Sequence, residues 1–475
     1  MKNIYFILIL FFSTNIYIQS NEIIVITWIN YGTYFRIVAT EGKDFTVDWG
    51  DGSEIETYTG LGIEQLISHI YENNDYDLEY QATIKAIDTD CFFTFFKSSR
   101  PNRTSPSGLK KLDLSSCPNL EILDCSYAWL NNLDLTENTK LKILSCGNNP
   151  ILKSVNLSSN ILLEEFGIGS DSLTNLDISK NYNLKILGIN SSLMPHNHLV
   201  PIKNLNVSEN IKLVELYLSN TQIKNIELNN NIELEILRCY DNSLISLDVS
   251  SNTKLKYFLC NNNQLKSLYL NEFACDSTPL PFMLTCDNNK LPLSELFNAS
   301  EMVIGTNKRL GTQRLEPQNV PVGFTVDFSS QSEFKDITTV FVINKDGLPS
   351  EINNDYTITN GIITFLQDGI FTVTMTNAAI VSNYLYPAKV IAEFKVGYAN
   401  IDDVSYLSDI VFYPNPVNDI LYIKTEKETI PEVKLFSLEG QLLLNIKGNE
   451  IDVSGFAAGI YMLEVDGKKG KVVKN

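Results

Sequence analysis

The chain has 475 residues, more than one hydrophobic core accommodates, so two to four domains are expected. Its 44% hydrophobic and 20% charged content is that of a globular protein and excludes a disordered one. A net charge of -19, with a pI near 4.7, argues against nucleic-acid binding, which needs clustered Lys and Arg, and against electrostatic membrane anchoring.

The first element is a short basic start, an apolar run from Ile4 to Phe12, and polar residues up to Ser20. That pattern is a secretory signal peptide over residues 1–20. The run falls short of the roughly 20 apolar residues a spanning helix needs. No Cys lies near the cut, which argues against a lipid anchor, and no later stretch could cross a bilayer as a helix.

Residues 22–100 come next. Phe45-Thr46-Val47-Asp48-Trp49-Gly50-Asp51-Gly52-Ser53 alternates like a strand and turns at Asp-Gly, and His69-x-Tyr71 and an alternating segment from Tyr80 to Ile87 follow. The segment resembles the immunoglobulin-like sandwich of polycystic-kidney-disease-type domains, which carry a Trp-Gly-Asp-Gly segment followed by His-x-Tyr. Asp48 and Asp51 are either plain turn residues or calcium ligands.

A repeat dominates residues 105–299. Its first arc recurs as Leu112-Asp113-Leu114, Leu133-Asp134-Leu135, Val155-Asn156-Leu157, Leu176-Asp177-Ile178, Leu205-Asn206-Val207, Ile226-Glu227-Leu228, Leu247-Asp248-Val249 and Leu268-Tyr269-Leu270. A second arc alternates with it, from Leu123-Asp124-Cys125 to Phe258-Leu259-Cys260, with a last rung at Cys286. Most coils are 21 residues long; one is stretched to 29 by residues 191–200, which hold His196 and His198. Such a period is that of a leucine-rich-repeat solenoid, in which each coil packs only on its neighbours. Arcs this short leave no room for full helices, so extended segments and tight turns are expected on both sides.

Asn138, Asn160, Asn181, Asn210, Asn231 and Asn252 each fall three residues after the last inward apolar residue of the first arc, and Asn149, Asn242, Asn263 and Asn289 do so in the second. At these bends backbone groups leave the sheet, and a buried amide satisfies them, which makes the series an asparagine ladder. Cys125, Cys146, Cys239 and Cys260 stand where sibling coils carry inward Ile168, Ile189 or Leu218. Rungs stack at roughly 4.8 Å, with side chains pointing the same way, whereas a disulfide wants Cβ atoms about 3.8 Å apart. The expectation is a ladder of buried thiols acting as small hydrophobes, with no metal, because no Cys-x-x-Cys pair or nearby His accompanies them.

Over residues 109–291 these arcs resemble the internalin-type surface proteins whose repeats carry a cysteine ladder, although the middle coils hold Ile or Leu at the Cys position. The resemblance implies adhesion and partner binding. Cys91, Cys117 and Cys275 lie outside the ladder; a Cys91–Cys117 bridge sealing the first coil and two free thiols both remain open.

Residues 300–397 lose the Leu period and show short strands, such as Phe324–Phe328, Thr338–Ile343 and Phe371–Met375, which read as a second immunoglobulin-like sandwich. Residues 405–475 hold Phe412-Tyr413-Pro414-Asn415-Pro416-Val417-Asn418-Asp419, then Val433–Ser437 with Gly440, then Gly459–Val465 and a basic end. This tail resembles the C-terminal sorting domain of the type IX secretion system of Bacteroidetes. The resemblance implies the secretion machinery as a partner, and export to the medium or the outer cell surface.

No nucleophile elbow, phosphate loop or His-Glu-x-x-His motif is present, and three His offer no zinc set, so neither enzyme activity nor a cofactor is expected. Positions that vary between coils are free to recognise a partner. Period-two alternation turns Ile122, Asp124 and Ser126 outward, and in later coils Tyr217, Arg238, Tyr240, Tyr257 and Leu259. The Cys arc is therefore assigned to the concave sheet, with those five residues as a candidate patch for a protein or glycan ligand. Tyr and Arg are enriched at interface hot spots.

Overall fold

Alternation of buried and exposed residues, as in Ile23–Ile29 and Glu79–Ala86, builds the elements ahead of the repeats. The computed structural model describes residues 21–29, 33–71, 78–98, 108–189, 199–271, 283–303, 307–383, 385–397, 410–425, 430–437, 441–465 and 468–475. The signal segment, the insertion with His196 and His198, and Cys275 lie outside these residues. The chain divides into two units: Met1–Leu315 with Phe334–Thr339 and Met375–Ile391, and Glu316–Glu333 with Val340–Thr374 and Ala392–Asn475.

The first unit begins with β1 (Ile23–Ile29), β2 (Thr33–Ala39), β3 (Asp44–Asp48), β4 (Glu56–Thr59), β5 (Gln65–His69), β6 (Glu79–Ala86) and β7 (Phe93–Lys97). The repeats supply β8 (Leu109–Asp113), β9 (Ile122–Asp124), β10 (Ile143–Cys146), β11 (Glu165–Ile168), β12 (Ile186–Ile189), β13 (Glu215–Tyr217) and β14 (Ile236–Arg238). They continue with β15 (Ser246–Asp248), β16 (Tyr257–Leu259), β17 (Ser267–Tyr269), β18 (Met283–Thr285), α1 (Leu293–Met302) and β19 (Lys308–Arg309).

One sheet of twelve strands runs β19-β18-β16-β14-β13-β12-β11-β10-β9-β7-β2-β5, and a sheet of five runs β4-β3-β6-β1-β8. The segment ahead of the repeats is thus woven into them: β7 pairs in parallel with β9, and β8 pairs with β1. A terminal coil has one face without a neighbour, and this pairing covers it. Trp28, Phe35, Phe45, Trp49, Phe93 and Phe96 fill the space between the two sheets, fully buried. At the joint the buried Glu22 carboxylate accepts the Phe93 N–H and the Asn119 amide; burial, the dominant influence, raises its pKa.

Each Cys arc supplies one strand of the long sheet. The Leu-Asp-Leu arcs differ from the expectation of extended segments on both sides: β8 pairs with β1 and β15 with β17, and the other arcs form no strand before their turns. Asp113, Asp134, Asn156, Asp177, Asn206 and Asp248 each accept the backbone N–H two residues on, an Asx turn that closes the arc. After the Cys arcs the backbone passes through the left-handed region at Tyr127, Asn148, Asn220, Asp241, Asn262 and Asn288 (φ 55–59°), conformations that Asn and Asp tolerate best.

In the second unit, Thr325–Asp327, Ile362–Phe365 and Tyr356–Thr359 form a three-stranded antiparallel sheet, and Phe365 packs on Phe371 and Phe394. The tail forms one three-stranded and one four-stranded sheet around Val417, Leu421, Val433, Ile451, Leu463 and Val465. Asn415 ties the Tyr-Pro-Asn-Pro segment to the last strand, donating to the Lys471 carbonyl and accepting the Val473 N–H.

Candidate binding face

The long sheet turns Leu123, Leu144, Phe166, Leu187, Leu216, Leu237 and Phe258 into the core, all at most 1% exposed. The Cys side chains follow them inward. Cys125, Cys146, Cys239, Cys260 and Cys286 are free thiols at 0% exposure. Burial pushes all five thiols up, Cys239 to about 12. Cys91 and Cys117 are also free and buried, so the bridge left open by the sequence is absent; the Cys117 thiol instead donates to the Ile23 carbonyl at 3.3 Å.

The buried Asn residues fall into two kinds that the sequence does not separate. Asn138, Asn160, Asn181, Asn210, Asn231 and Asn252 each donate two hydrogen bonds to carbonyls. Their Oδ1 atoms have no partner. Asn149 and Asn263 also donate twice to arc carbonyls, but each accepts a backbone N–H through Oδ1, from Leu130 and Leu244. Gln313 completes this second ladder: its Oε1 takes the Asn289 N–H, and its Nε2 donates to Cys286 and Leu310. Sequence reasoning missed Gln313 because it stands beyond the last recognisable coil.

The outward positions of the sheet form rows across strands. One runs through Lys97, Asp124, Ser145, Gly167, Gly188, Tyr217, Arg238 and Leu259. A second, two residues upstream, runs through Ile122, Ile143, Glu165, Ile186, Glu215, Ile236 and Tyr257. Four of the five candidate residues lie on these rows: Tyr217, Arg238 and Leu259 are neighbours on the first, and Tyr257 lies on the second between Ile236 and Met283. Tyr240 follows β14 and is half-buried.

The Arg238 guanidinium sits 5.3 Å from the centre of the Tyr217 ring, a cation–π contact, and makes no ion pair among the described residues. The Tyr217 hydroxyl donates to Glu215; burial and that carboxylate push its pKa up to about 12, so it stays a donor at neutral pH. Asp124 is held by Lys97 at 2.9 Å; burial works against its charged form, but the Lys97 and Ser126 hydrogen bonds outweigh that and lower its pKa.

A second surface escaped sequence reasoning. The residue after each ladder Asn is exposed and apolar on four consecutive coils: Ile161, Tyr182, Ile211 and Ile232. An Asn-Ile or Asn-Tyr pair is the sequence signal for it.

In the segment ahead of the repeats, Trp49, His69 and Tyr71 form a knot. The His69 ring stacks on Trp49 at 4.8 Å and contacts Asp51 through Nε2 at 2.8 Å, and Tyr71 donates to the Trp49 carbonyl. Burial works to raise the Asp51 pKa, yet hydrogen bonds from Ser53 and His69 prevail and hold it at about 2. Asp48 accepts the Gly50 N–H. Among the described residues no cluster of three or more His, Cys, Asp or Glu could hold a metal. A cleft of about 350 Å³ lined by Asp113, Asp134 and Glu137 lies over two Leu-Asp-Leu arcs, where both Asp residues are occupied in their turns.

Residues 411–475 match the family described as the secretion system C-terminal sorting domain. The chain therefore carries a type IX sorting tail and is exported, to the outer cell surface or the medium. No helix among the described residues is long and apolar enough to cross a membrane. No curated protein matches the chain. Among solved structures, the functional domain of InlJ from Listeria monocytogenes, which includes a cysteine ladder, is 19% identical over 60% of this chain and 74% of its own, with a TM-score of 0.29. InlP from the same organism is 17% identical over 60% and 76%, with a TM-score of 0.29. A Leptospira interrogans leucine-rich-repeat protein is 20% identical over 40% and 48%, with a TM-score of 0.34. Likeness at this level is weak, and the leucine-rich-repeat fold rests on the coil geometry itself.

Proposed function

We propose that this exported chain is a non-catalytic binding protein that recognises a protein partner through the concave face of its long sheet, in adhesion at a cell or matrix surface. One observation carries the reading: the row Tyr217–Arg238–Leu259 beside Tyr257 gathers hot-spot residue types on an open sheet, with a guanidinium that makes no ion pair among the described residues. The Leu-Asp-Leu arcs, by contrast, spend Asp113, Asp177 and Asp248 on Asx turns. A non-catalytic role is supported by where the reactive groups are. His69 is enclosed by Trp49, Tyr71 and Asp51, and the ladder thiols are buried.

A glycan ligand is the second reading, favoured by the Tyr side chains, whose faces stack on sugar rings. Binding of the purified chain to immobilised matrix proteins and to a glycan array separates the two. Tyr240→Ala and Tyr257→Ala weaken binding if the patch is the site; unchanged affinity in both variants removes the patch from consideration.

A further inference from the structure

The three-stranded sheet of the tail pairs Ile410–Tyr413 with Ile420–Thr425, and Ile420–Thr425 with Glu450–Asp452. One side of it is core, where Phe412, Leu421, Ile423 and Ile451 are buried. Period-two alternation turns Tyr413, Ile420, Tyr422, Lys424, Glu450 and Asp452 to the other side. The solvent side of an antiparallel sheet is ordinarily polar. Here its centre is not: Tyr413 is 51%, Ile420 41% and Tyr422 37% exposed. Tyr413 and Tyr422 stand directly opposite in register, and their rings stack 28° from parallel with centres 5.8 Å apart. Neither hydroxyl makes a hydrogen bond among the described residues. In the other sheet of the tail Tyr461 is tied down instead, packed on Phe456 and donating to the Ala457 carbonyl.

Charge surrounds the ring pair unevenly. Glu450 lies opposite Tyr422 and Asp452 opposite Ile420, while Asp419 stands in the bend that leads into the strand. Asp452 is engaged by the Ser454 N–H; Glu450 is exposed and makes no ion pair among the described residues. Lys424, one pleat beyond Tyr422, is the one cation on this side of the sheet among the described residues. No cation lies over either ring among them. Elsewhere the chain completes such a group itself: Arg238 covers Tyr217, whose hydroxyl donates to Glu215. The tail has two rings and a carboxylate but no guanidinium, since the last Arg of the chain is Arg314.

Exposed rings inside a charged rim have the make-up of an interface centre. The partner is indicated independently: residues 411–475 match the secretion sorting domain, so this sheet belongs to a segment that the export machinery recognises. We propose that the machinery grips the tail on this face, with a Lys or Arg side chain of its own laid against Tyr413 and Tyr422 and paired with Glu450. A cation is attracted to the face of a ring and bonds strongly to a carboxylate. Its apolar stem packs on Ile420. The inference is independent of the concave-face reading, because it concerns how the chain leaves the cell and not what it binds outside.

The test uses the full chain, produced in a bacterium that has type IX secretion, with immunoblots of periplasm, cell surface and medium. Tyr413→Ala together with Tyr422→Ala should lower the exported fraction about tenfold and leave the chain in the periplasm. Tyr413→Phe with Tyr422→Phe, which keeps both rings, should export normally. Glu450→Lys, at an exposed position, should block export as strongly as the double alanine variant, and Glu450→Asp, which keeps the carboxylate, should fall between. Leu442→Ala, exposed on the other sheet of the tail, should change nothing. Circular dichroism and denaturation midpoints of the purified chains report the folding of each variant. Normal export of Glu450→Lys overturns the proposal even where the double alanine variant misfolds. Normal export of a folded double alanine variant overturns it too, as does an equal loss in Leu442→Ala. Sedimentation showing that these variants break a dimer of the unaltered chain also overturns it, since the face then belongs to a second copy.

Discussion

Asn149→Ala should destabilise the chain more than Asn160→Ala, although the two residues are both fully buried and look equivalent in the repeat. Removing the Asn160 amide breaks two hydrogen bonds, to the Leu135 and Asn138 carbonyls, yet each carbonyl keeps a backbone donor, from Asn138 and Leu141 respectively. The change also removes a buried Oδ1 that has no partner. At about 0.5–1.5 kcal/mol per neutral bond, with some relief from that oxygen, the cost is about 1–2 kcal/mol. Asn149→Ala breaks two bonds, to the Cys125 and Cys146 carbonyls, and also strands the buried Leu130 N–H, whose acceptor is the Asn149 Oδ1 at 3.1 Å. An orphaned buried donor adds about 1–3 kcal/mol, for a total of about 2–6 kcal/mol. Urea denaturation followed by far-UV circular dichroism measures the difference as a shift in midpoint at constant m-value. Amide exchange at Leu130 should accelerate in Asn149→Ala and not in Asn160→Ala. Equal costs, or a reversed order, would refute the assignment of two kinds of ladder.

Three further outcomes follow from the same geometry. Asp51, held at about 2 against an ordinary value of 3.8, contributes stability that is complete above pH 4 and is lost as pH falls through 2; Asp51→Asn should remove that part of the acid sensitivity in thermal melts, and an unchanged pH profile would contradict it. Gly50→Ala should unfold the sheets ahead of the repeats, because φ is +75° and the added Cβ would lie 2.2 Å from the Gln81 carbonyl oxygen; near-native tryptophan fluorescence in that variant would be inconsistent with the packing around Trp49. The ladder thiols, with Cys239 pushed up to about 12 by burial, should resist alkylation in the native chain near pH 8 and react once it is unfolded, and rapid native labelling of Cys239 or Cys260 would contradict their burial.

Much of the solenoid was legible because its cause is periodic. A Leu that must face inward on every coil repeats in sequence as it does in space, and the Asx turns put Asp or Asn at one position on six of the eight coils. The outward side of Tyr217 and Arg238 followed from period-two alternation once Cys239 is taken as inward. Features set by a single contact were not legible. Nothing in the spacing of β7 announces that Phe95 will pair with Ile122, because that register depends on a strand from outside the repeat. Gln313 replaces Asn at the last rung with a side chain one carbon longer, outside the period. The Asn-Ile ridge was visible as letters, but its exposure depends on where the turn projects each residue.

The two open surfaces allow the most direct test of the central claim. Hydroxyl-radical footprinting of the full chain, alone and with a bound partner, reports which side chains binding covers. Protection of Tyr217, Tyr257 and Leu259, with Ile161, Tyr182, Ile211 and Ile232 still oxidised, is the result expected of recognition through the concave sheet. Protection of the ridge with the concave Tyr residues left exposed would contradict it.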